Sequence, residues 1–318
     1  MLTSDFIPVN VFACALWPDA TDFADARSAQ HWLQALRALE YHPVLQSLAR
    51  AKLQVLPNLP PDSGCSSHEW AYARALGWLQ HNFLMPFAAQ TAQQLQLSCP
   101  PDHGWAFVDL VNAQYNQGQT HISLPDSLSG AESDGFMQAM QPYFEEDDIK
   151  LYPLRTGRFL AHAGVFKQLP VVSLDHVLQH GAHADTEPLA SQSPAQRLLR
   201  RLQNEMQMLL YTHALNETRT QAVNSFWLSG TGDLPAPAGR DVKIHAGLRE
   251  SFLAHDADAW ANAWLSLAET SMLPALEQGQ AVVLCGTQRC LQLRAGNAHW
   301  LQALKHRWFP PSLTGLLS

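Results

Sequence analysis

The chain has 318 residues, of which 47% are hydrophobic and 15% charged, enough for one large domain or two ordinary ones. Its formal net charge of −8 excludes a general nucleic-acid binder, because neutralising phosphates requires a surplus of lysine and arginine. No run is long and apolar enough to span a bilayer, and the start lacks the basic residues of a signal peptide. The five cysteines are scattered, which is typical of reduced thiols. We therefore predict a cytoplasmic protein.

The first part of the chain predicts one buried strand followed by four helices. A continuous apolar run indicates the strand, and apolar residues at helical spacing indicate the helices. The strand is residues 6–16, and the helices are residues 25–40, 44–53, 66–80 and 88–97. Ser66 or Ser67 is placed to cap the third helix.

The middle of the chain predicts a strand pair, a helix and a second strand pair. The strands are residues 105–114, 120–125, 149–155 and 157–164, with the helix at residues 131–144. This order is typical of a small α+β unit inserted in a larger domain. We predict an α/β protein, with residues 105–170 as the insert and residues 1–104 and 171–318 as the main domain.

The last part of the chain predicts a well-specified helix, a strand, a second helix and a closing hairpin. Residues 180–192 are predicted to form a loop, and Ser193 followed by Pro194 is a strong helix start. The later elements are a strand at 223–228, a linker at 235–240, a helix carrying Trp260 and Trp264, strands at 281–285 and 290–293, and a helix at 297–307.

A dense group of polar side chains follows the helix that starts at Ser193. His213, Asn216, Arg219 and Asn224 lie within twelve positions. Arginine can bind a carboxylate or phosphate through two hydrogen bonds, and asparagine supplies neutral donors, so an anion pocket is one interpretation. The other is a polar crossover whose side chains satisfy backbone groups of the turn. Both interpretations stay open at the level of sequence.

Two further pairs are weak candidates for metal ligands. They are Asp102 with His103, and Asp175 with His176. Neither spacing matches a standard zinc pattern, and a solvated loop is the competing interpretation. Cys285 lies in an apolar strand without a nearby base in sequence, which indicates packing rather than nucleophilic chemistry.

Four stretches resemble the RpfE-type regulatory proteins of proteobacteria, which are often labelled cofactor-independent phosphoglycerate mutases. The stretches read AMQPYFEEDDIKLY, VVSLDHV, RRLQNEMQMLLYTHALNETR and VNSFWLSGTG. The order of motifs is also similar, more remotely, to the archaeal-type mutases of the alkaline-phosphatase superfamily. The resemblance implies an alkaline-phosphatase-like sheet flanked by helices, with a smaller α+β unit.

The same resemblance implies a set of ligand-binding positions. Arg158 falls on an arginine of the substrate-binding lobe in those enzymes. The other family-like positions are Asp175, His213, Asn216, Arg219, Asn224 and Trp227. We expect Arg158, His213, Asn216, Arg219 and Asn224 to bind the ligand, and we expect a phosphorylated small molecule as that ligand.

The metal and nucleophile motifs of those mutases are missing here. In the family an Asp-Gly after the first strand and an Asp-His after a late strand hold two divalent metals beside a serine nucleophile. Here the first strand runs Ile7-Pro8-Val9-Asn10, and the late strand runs into Gly286-Thr287-Gln288. A two-metal site requires such ligands to clamp the attacking and leaving oxygens.

These departures predict a degenerate, regulatory or ligand-binding protein with no bound cofactor and an unassigned catalytic role. The alternative is an active phosphoglycerate mutase or related phosphatase, holding manganese or zinc through Asp102, His103, Asp175 and His176. An acidic protein partner is a further expectation, docking on the basic helix face of Arg197, Arg200 and Arg201. Neither nucleic acid nor a membrane is expected as a partner.

Overall fold

The computed structural model describes residues 7–16, 26–40, 42–60, 63–78, 84–116, 119–180, 193–234 and 241–296. They form a mixed α/β protein with two sheets flanked by helices. The chain divides into two compact units. The first unit comprises residues 1–61, 66–78 and 237–318, and the second comprises 62–65 and 79–236. The loop was predicted over 180–192; His180 is the last residue of a helix, and the rest of that loop lies outside the described ranges. The predicted linker at 235–240 and terminal helix at 297–307 lie outside them too.

The first unit is built on a five-stranded mixed sheet. Its strands are β1 (Val9–Phe12), β2 (Lys52–Val55), β8 (Val242–His245), β9 (Ala281–Cys285) and β10 (Cys290–Arg294), in the order β2-β10-β9-β1-β8. Strand β1 runs parallel to both β8 and β9, whereas β10 is antiparallel to β9 and β2. The carboxyl ends of β1, β8 and β9 therefore meet at one edge of this sheet.

Helices pack around this sheet. They are α1 (Ala26–Glu40), α2 (Pro43–Leu48), α3 (Ser67–Leu76), α8 (Arg249–Leu253), α9 (Ala257–Leu267) and α10 (Leu273–Glu277). All of them except α3 contribute buried residues to one hydrophobic core. Trp32, Trp260 and Trp264 are almost fully buried together in the core, as expected for the helical spacing of the last two.

Two parts of the first unit differ from the prediction. The helix expected over residues 44–53 ends at Leu48, and Lys52–Val55 form strand β2. Pairing with β10 decided this, since it gives the backbone of Lys52–Val55 hydrogen-bond partners far along the chain. Strand β8 was not predicted, because Val242–His245 are largely exposed and lack a buried apolar run.

The second unit contains an antiparallel sheet centred on one long strand. Its strands are β3 (Gly104–Asn116), β4 (Gln119–Ser123), β5 (Lys150–Arg155), β6 (Arg158–Ala163) and β7 (Ser225–Gly232). Strand β3 has thirteen residues and pairs with β4, β6 and β7, while β5 pairs with β6. The two predicted strand pairs are thus joined into one sheet.

The helices of the second unit are α4 (Phe87–Gln94), α5 (Gly130–Glu145), α6 (Leu174–His180) and α7 (Pro194–Tyr211). The hydroxyl of Ser193 accepts a hydrogen bond from the backbone N–H of Gln196, so the predicted start of α7 is confirmed. Phe136, Met206 and Phe226 bring α5, α7 and β7 into one buried core. This core extends the unit beyond the predicted insert of residues 105–170, because β7 and α7 come later in the chain. None of the described helices is both long and apolar enough to cross a membrane.

Candidate functional site

Arg158 stands at the start of β6, opposite Asp109 on β3. Its Nε lies 2.5 Å from Asp109 Oδ1 and its Nη2 lies 3.0 Å from Oδ2, so the guanidinium binds the carboxylate through two hydrogen bonds. The two side chains are 20% and 5% exposed, and the guanidinium also lies 4.8 Å from the centre of the Phe107 ring. The protein itself therefore supplies an anion to this predicted ligand-binding arginine.

Arg219 has a comparable set of partners near the start of α5. Its Nη1 donates to Glu132 Oε1 at 2.8 Å, its Nε donates to the carbonyl of Gln221, and its Nη2 donates to the carbonyl of Asp126. The arginine side chain is only 6% exposed. It thereby ties the segment after α7 to the first turn of α5.

The remaining predicted ligand residues are bonded mainly to backbone groups. Asn216 donates to the carbonyls of Leu210 and Val223 and accepts from the N–H of Val223. Asn224 makes two hydrogen bonds with the backbone of Ala113, and His213 accepts from the N–H of Leu215. These contacts are those of the polar-crossover interpretation. A ligand-binding role for the five residues stays a prediction.

Glu132 links the start of α5 to Arg219 and gives a pH-dependent prediction. Hydrogen bonds from Ser129, and then from Arg219, lower the pKa of this carboxyl from its ordinary 4.5 to about 2. A depressed pKa stabilises the fold above the unfolded value, so this contribution should be lost as pH falls from about 4.5 towards 2. Melting temperatures measured between pH 2 and 6 should fall less steeply for Glu132→Gln than for the unmodified protein.

A matched control for this titration is Asp134→Asn, an exposed carboxylate on the same helix. It should keep the steep acid dependence, because it leaves the Ser129–Glu132–Arg219 contacts in place. Equal slopes for Glu132→Gln and the unmodified protein would show that the Ser129–Glu132–Arg219 contacts do not couple to folding.

The four weak metal candidates all lie in the second unit. His103 Nδ1 lies 2.9 Å from His162 Nδ1, and Asp102 is exposed in the preceding turn. Asp175 is buried in the first turn of α6, and His176 Nδ1 lies 3.2 Å from the carbonyl of Cys65. Among the described residues, no three His, Cys, Asp or Glu side chains are grouped so as to hold a metal ion.

The carboxyl edge of the first unit's sheet is the position where open α/β sheets usually bind ligands. Cys14 follows β1 with a positive φ of 55°, and the N–H groups of Ala15 and Leu16 both donate to the carbonyl of Cys285 at the end of β9. The indole N–H groups of Trp260 and Trp264 donate to the carbonyls of Cys14 and Ala15. Leu16 packs so closely that a side chain at Gly286 would meet its Cβ at 2.9 Å. Within the described residues, the ends of β1 and β9 are therefore held together by backbone hydrogen bonds and by close side-chain packing.

The N-terminus of α3 brings hydroxyl groups to the same edge. Ser67 donates to the carbonyl of Gly286, and the Cys290 thiol donates to the carbonyl of Ser67. Ser66 caps α3, and its hydroxyl lies 2.8 Å from the Glu69 carboxylate. The sequence predicted Ser66 or Ser67 as the cap of this helix, and the cap is Ser66. Here their hydroxyls hold the start of the helix and the β9–β10 turn in place.

Two buried thiols lie close together at this edge. Cys285 Sγ lies 3.0 Å from Cys290 Sγ, and both side chains are at most 2% exposed. Burial, followed by the hydrogen bond with Cys290, raises the pKa of the Cys285 thiol well above its usual range. Divalent cations in phosphotransfer sites require ionised or imidazole ligands. In the part of this edge that the structure describes, no three His, Cys, Asp or Glu side chains are grouped so as to hold even one such cation, so the residues present there do not fit two.

A separate cavity of about 410 Å³ lies in the second unit, between the end of α4 and β3. Its wall includes Gln93, Cys99, His103, Trp105 and Asp233. His162 sits behind His103, and its Nε2 lies 3.2 Å from the hydroxyl of Tyr152. Burial, then the nearby His103 and Lys150, lowers the pKa of His162 from its ordinary 6.5. Sequence spacing did not indicate this pair, since His103 and His162 are 59 residues apart.

Comparisons with known proteins give structural likenesses and no sequence match. No protein-family model matches the chain, and no curated protein matches it. A cofactor-independent phosphoglycerate mutase from Thermoplasma acidophilum DSM 1728 is similar over 91% of this chain and 89% of that one, with 12% identity and a TM-score of 0.33. The PH0037 protein from Pyrococcus horikoshii is similar over 92% and 89%, with 11% identity and a TM-score of 0.44.

Proposed function

We propose that this protein is a phosphoglycerate-mutase-like protein without a two-metal phosphotransfer site, acting in ligand binding or regulation rather than catalysis. The observation that carries the proposal is the chemistry at the carboxyl edge of the first unit's sheet. Trp260, Trp264 and Leu16 pack at that edge, and among the described residues no three His, Cys, Asp or Glu side chains are grouped there so as to hold a metal ion. Sequence motifs support the family likeness, whereas the first strand and the late strand are not followed by the Asp-Gly and Asp-His pairs that this likeness implies.

The predicted anion-binding residues shape the second half of the proposal. Arg158 and Arg219 each hold a carboxylate of the protein, Asp109 and Glu132 respectively. A phosphorylated ligand would have to displace those carboxylates from largely buried guanidinium groups. We therefore propose that the arginines chiefly stabilise the second unit. A rise in melting temperature on adding a phosphorylated small molecule would indicate a further role in ligand binding.

Two measurements on the purified protein test the absence of catalysis. Elemental analysis should find no stoichiometric manganese or zinc, and a coupled assay should detect no interconversion of 3- and 2-phosphoglycerate, with or without added metal. We expect no detectable mutase activity, because phosphoryl transfer without its cations and nucleophile lacks its main charge stabilisation. An active mutase added to the same reaction serves as the positive control.

Two serine variants distinguish the activity of a contaminating host enzyme from activity of this protein. Ser66→Ala and Ser67→Ala, prepared in the same way, remove the hydroxyls at the start of α3. Trace activity that persists in both variants belongs to a contaminant. Metal-dependent interconversion that disappears in either folded variant would overturn the proposal and favour the phosphotransfer enzyme.

A further inference from the structure

We propose that the cavity between α4 and β3 is a binding site for a small molecule with a planar apolar body and an uncharged or cationic hydrogen-bonding head. The inference deepens the proposed binding role and rests on it. It assigns the site to a cavity of the second unit whose lining includes none of the predicted anion-binding residues. It also assigns a ligand chemistry different from the phosphorylated molecule expected from sequence.

The cavity has the size and the rigid wall that such a ligand requires. Its volume of about 410 Å³ falls within the usual range for small-molecule sites. Trp105 and Ala89 form a wall that belongs to a buried cluster joining α4 to β3, with Leu97 and Leu234 packed against it. Side chains on packed helices and strands hold a binding surface in place before the ligand arrives. A planar apolar group would cover this wall.

His103 supplies the directional hydrogen bond of the site. Its Nδ1 is engaged with His162 Nδ1 at 2.9 Å, and His162 Nε2 in turn lies 3.2 Å from the hydroxyl of Tyr152. These two hydrogen bonds orient the His103 ring. Among the residues that the structure describes, no partner for its Nε2 is found. Nε2 is therefore the ring nitrogen left to bind the ligand's head, as donor or acceptor according to the tautomer.

The charge around the cavity disfavours an anion. Asp233 lines it, Asp102 is nearby, and Lys167 is held by the carbonyl of Pro101 at 2.8 Å and by Asp233 at 3.5 Å. The pKa of the Cys99 thiol depends on these nearby charges. Burial raises its pKa, a hydrogen bond with Trp105 opposes that, and among the charges Asp233 outweighs Lys167. An uncharged or cationic head avoids repulsion by the carboxylates, whereas a carboxylate or phosphate head would meet it.

Three aromatic probes of nearly equal shape test the inference: benzamide, benzamidine and benzoate. They carry neutral, cationic and anionic heads. In an NMR titration of histidine-labelled protein, benzamide and benzamidine should shift the His103 signal in a saturable way at millimolar concentrations. Benzoate should require a concentration at least about fivefold higher. Loss of the signal in His103→Gln assigns it.

Variants at exposed positions locate the binding without disturbing the core. Ser98 lines the cavity and is exposed, so Ser98→Trp should abolish the shifts while Ser98→Ala keeps them. Asp233→Asn should weaken benzamidine by a factor of about 2 to 5 and leave benzamide unchanged, as expected for an exposed charge pair. Asp134→Asn, an exposed carboxylate in the same unit, is the control and should change neither affinity.

Three outcomes would overturn the inference: no probe shifts His103, benzoate binds as tightly as benzamidine, or binding survives Ser98→Trp. The mutase assay is independent of all three. Catalysis together with probe binding would refute the non-catalytic role and leave the cavity site standing. Absent catalysis together with absent probe binding would refute the cavity site alone.

Discussion

Replacing Arg158 with alanine should destabilise the second unit by about 3 kcal/mol, the largest single effect that we expect. The variant removes both hydrogen bonds from the guanidinium to the Asp109 carboxylate, which is 5% exposed on the central strand β3. Truncating one member of a buried ion pair costs far more than the net contribution of the original pair. Urea unfolding should show a lower midpoint with a similar slope, since the exposed surface on unfolding hardly changes.

Two comparisons make the Arg158 result specific. Arg201 also binds a carboxylate, that of Asp147, but its side chain is 54% exposed, and Arg201→Ala should cost much less because solvent screens the pair. The double variant Asp109→Leu with Arg158→Leu should be more stable than Arg158→Ala alone, because the buried carboxylate is removed together with the guanidinium. A loss for Arg158→Ala no greater than that for Arg201→Ala would refute the structural role of the pair.

Asn216→Ala should cost about 2–3 kcal/mol, the second largest effect, through unsatisfied backbone groups. The amide of Asn216 donates to Leu210 and Val223 at 2.6 and 2.8 Å and accepts from Val223 at 2.9 Å. Leu210 and Val223 are fully buried, so water does not readily replace these bonds. The expected result in thermal unfolding is a lower melting temperature without any ligand present.

The control for Asn216→Ala is Thr218→Ala, two residues further along and exposed. Surface substitutions of this kind change stability by at most about 0.5 kcal/mol. If Asn216 acted only as a ligand-binding residue, Asn216→Ala would be as stable as Thr218→Ala and would lose only affinity. Equal melting temperatures for the two variants would therefore favour the anion pocket over the polar crossover.

Local signals in the sequence were sufficient for several elements. Ser193 and Pro194 predicted the start of α7, and the structure places Ser193 as its cap. The one-turn spacing of Trp260 and Trp264 predicted a core face, and both are buried. These predictions succeed because capping and helical periodicity depend on residues within a few positions of each other.

Strand pairing between distant segments could not be predicted in the same way. The sequence of Lys52–Val55 continues a helical pattern, yet antiparallel pairing with β10 makes it a strand. Val242–His245 become β8 by pairing with β1, more than two hundred residues earlier. Such pairing depends on hydrogen bonds between segments far apart in the chain, which no local periodicity encodes.

By itself, the sequence determined most of the helices and strands, the cap of α7, core positions such as Trp260 and Trp264, and the lack of an Asp-Gly after the first strand and an Asp-His after the late strand. Only the tertiary structure decided which charges meet. It pairs the Asp109 carboxylate with Arg158 and the Glu132 carboxylate with Arg219. It also brings His103 within hydrogen-bond distance of His162 beside the cavity. The physical reason is that side-chain partners across a fold are set by strand register and helix packing. These bring together residues 49, 87 and 59 positions apart.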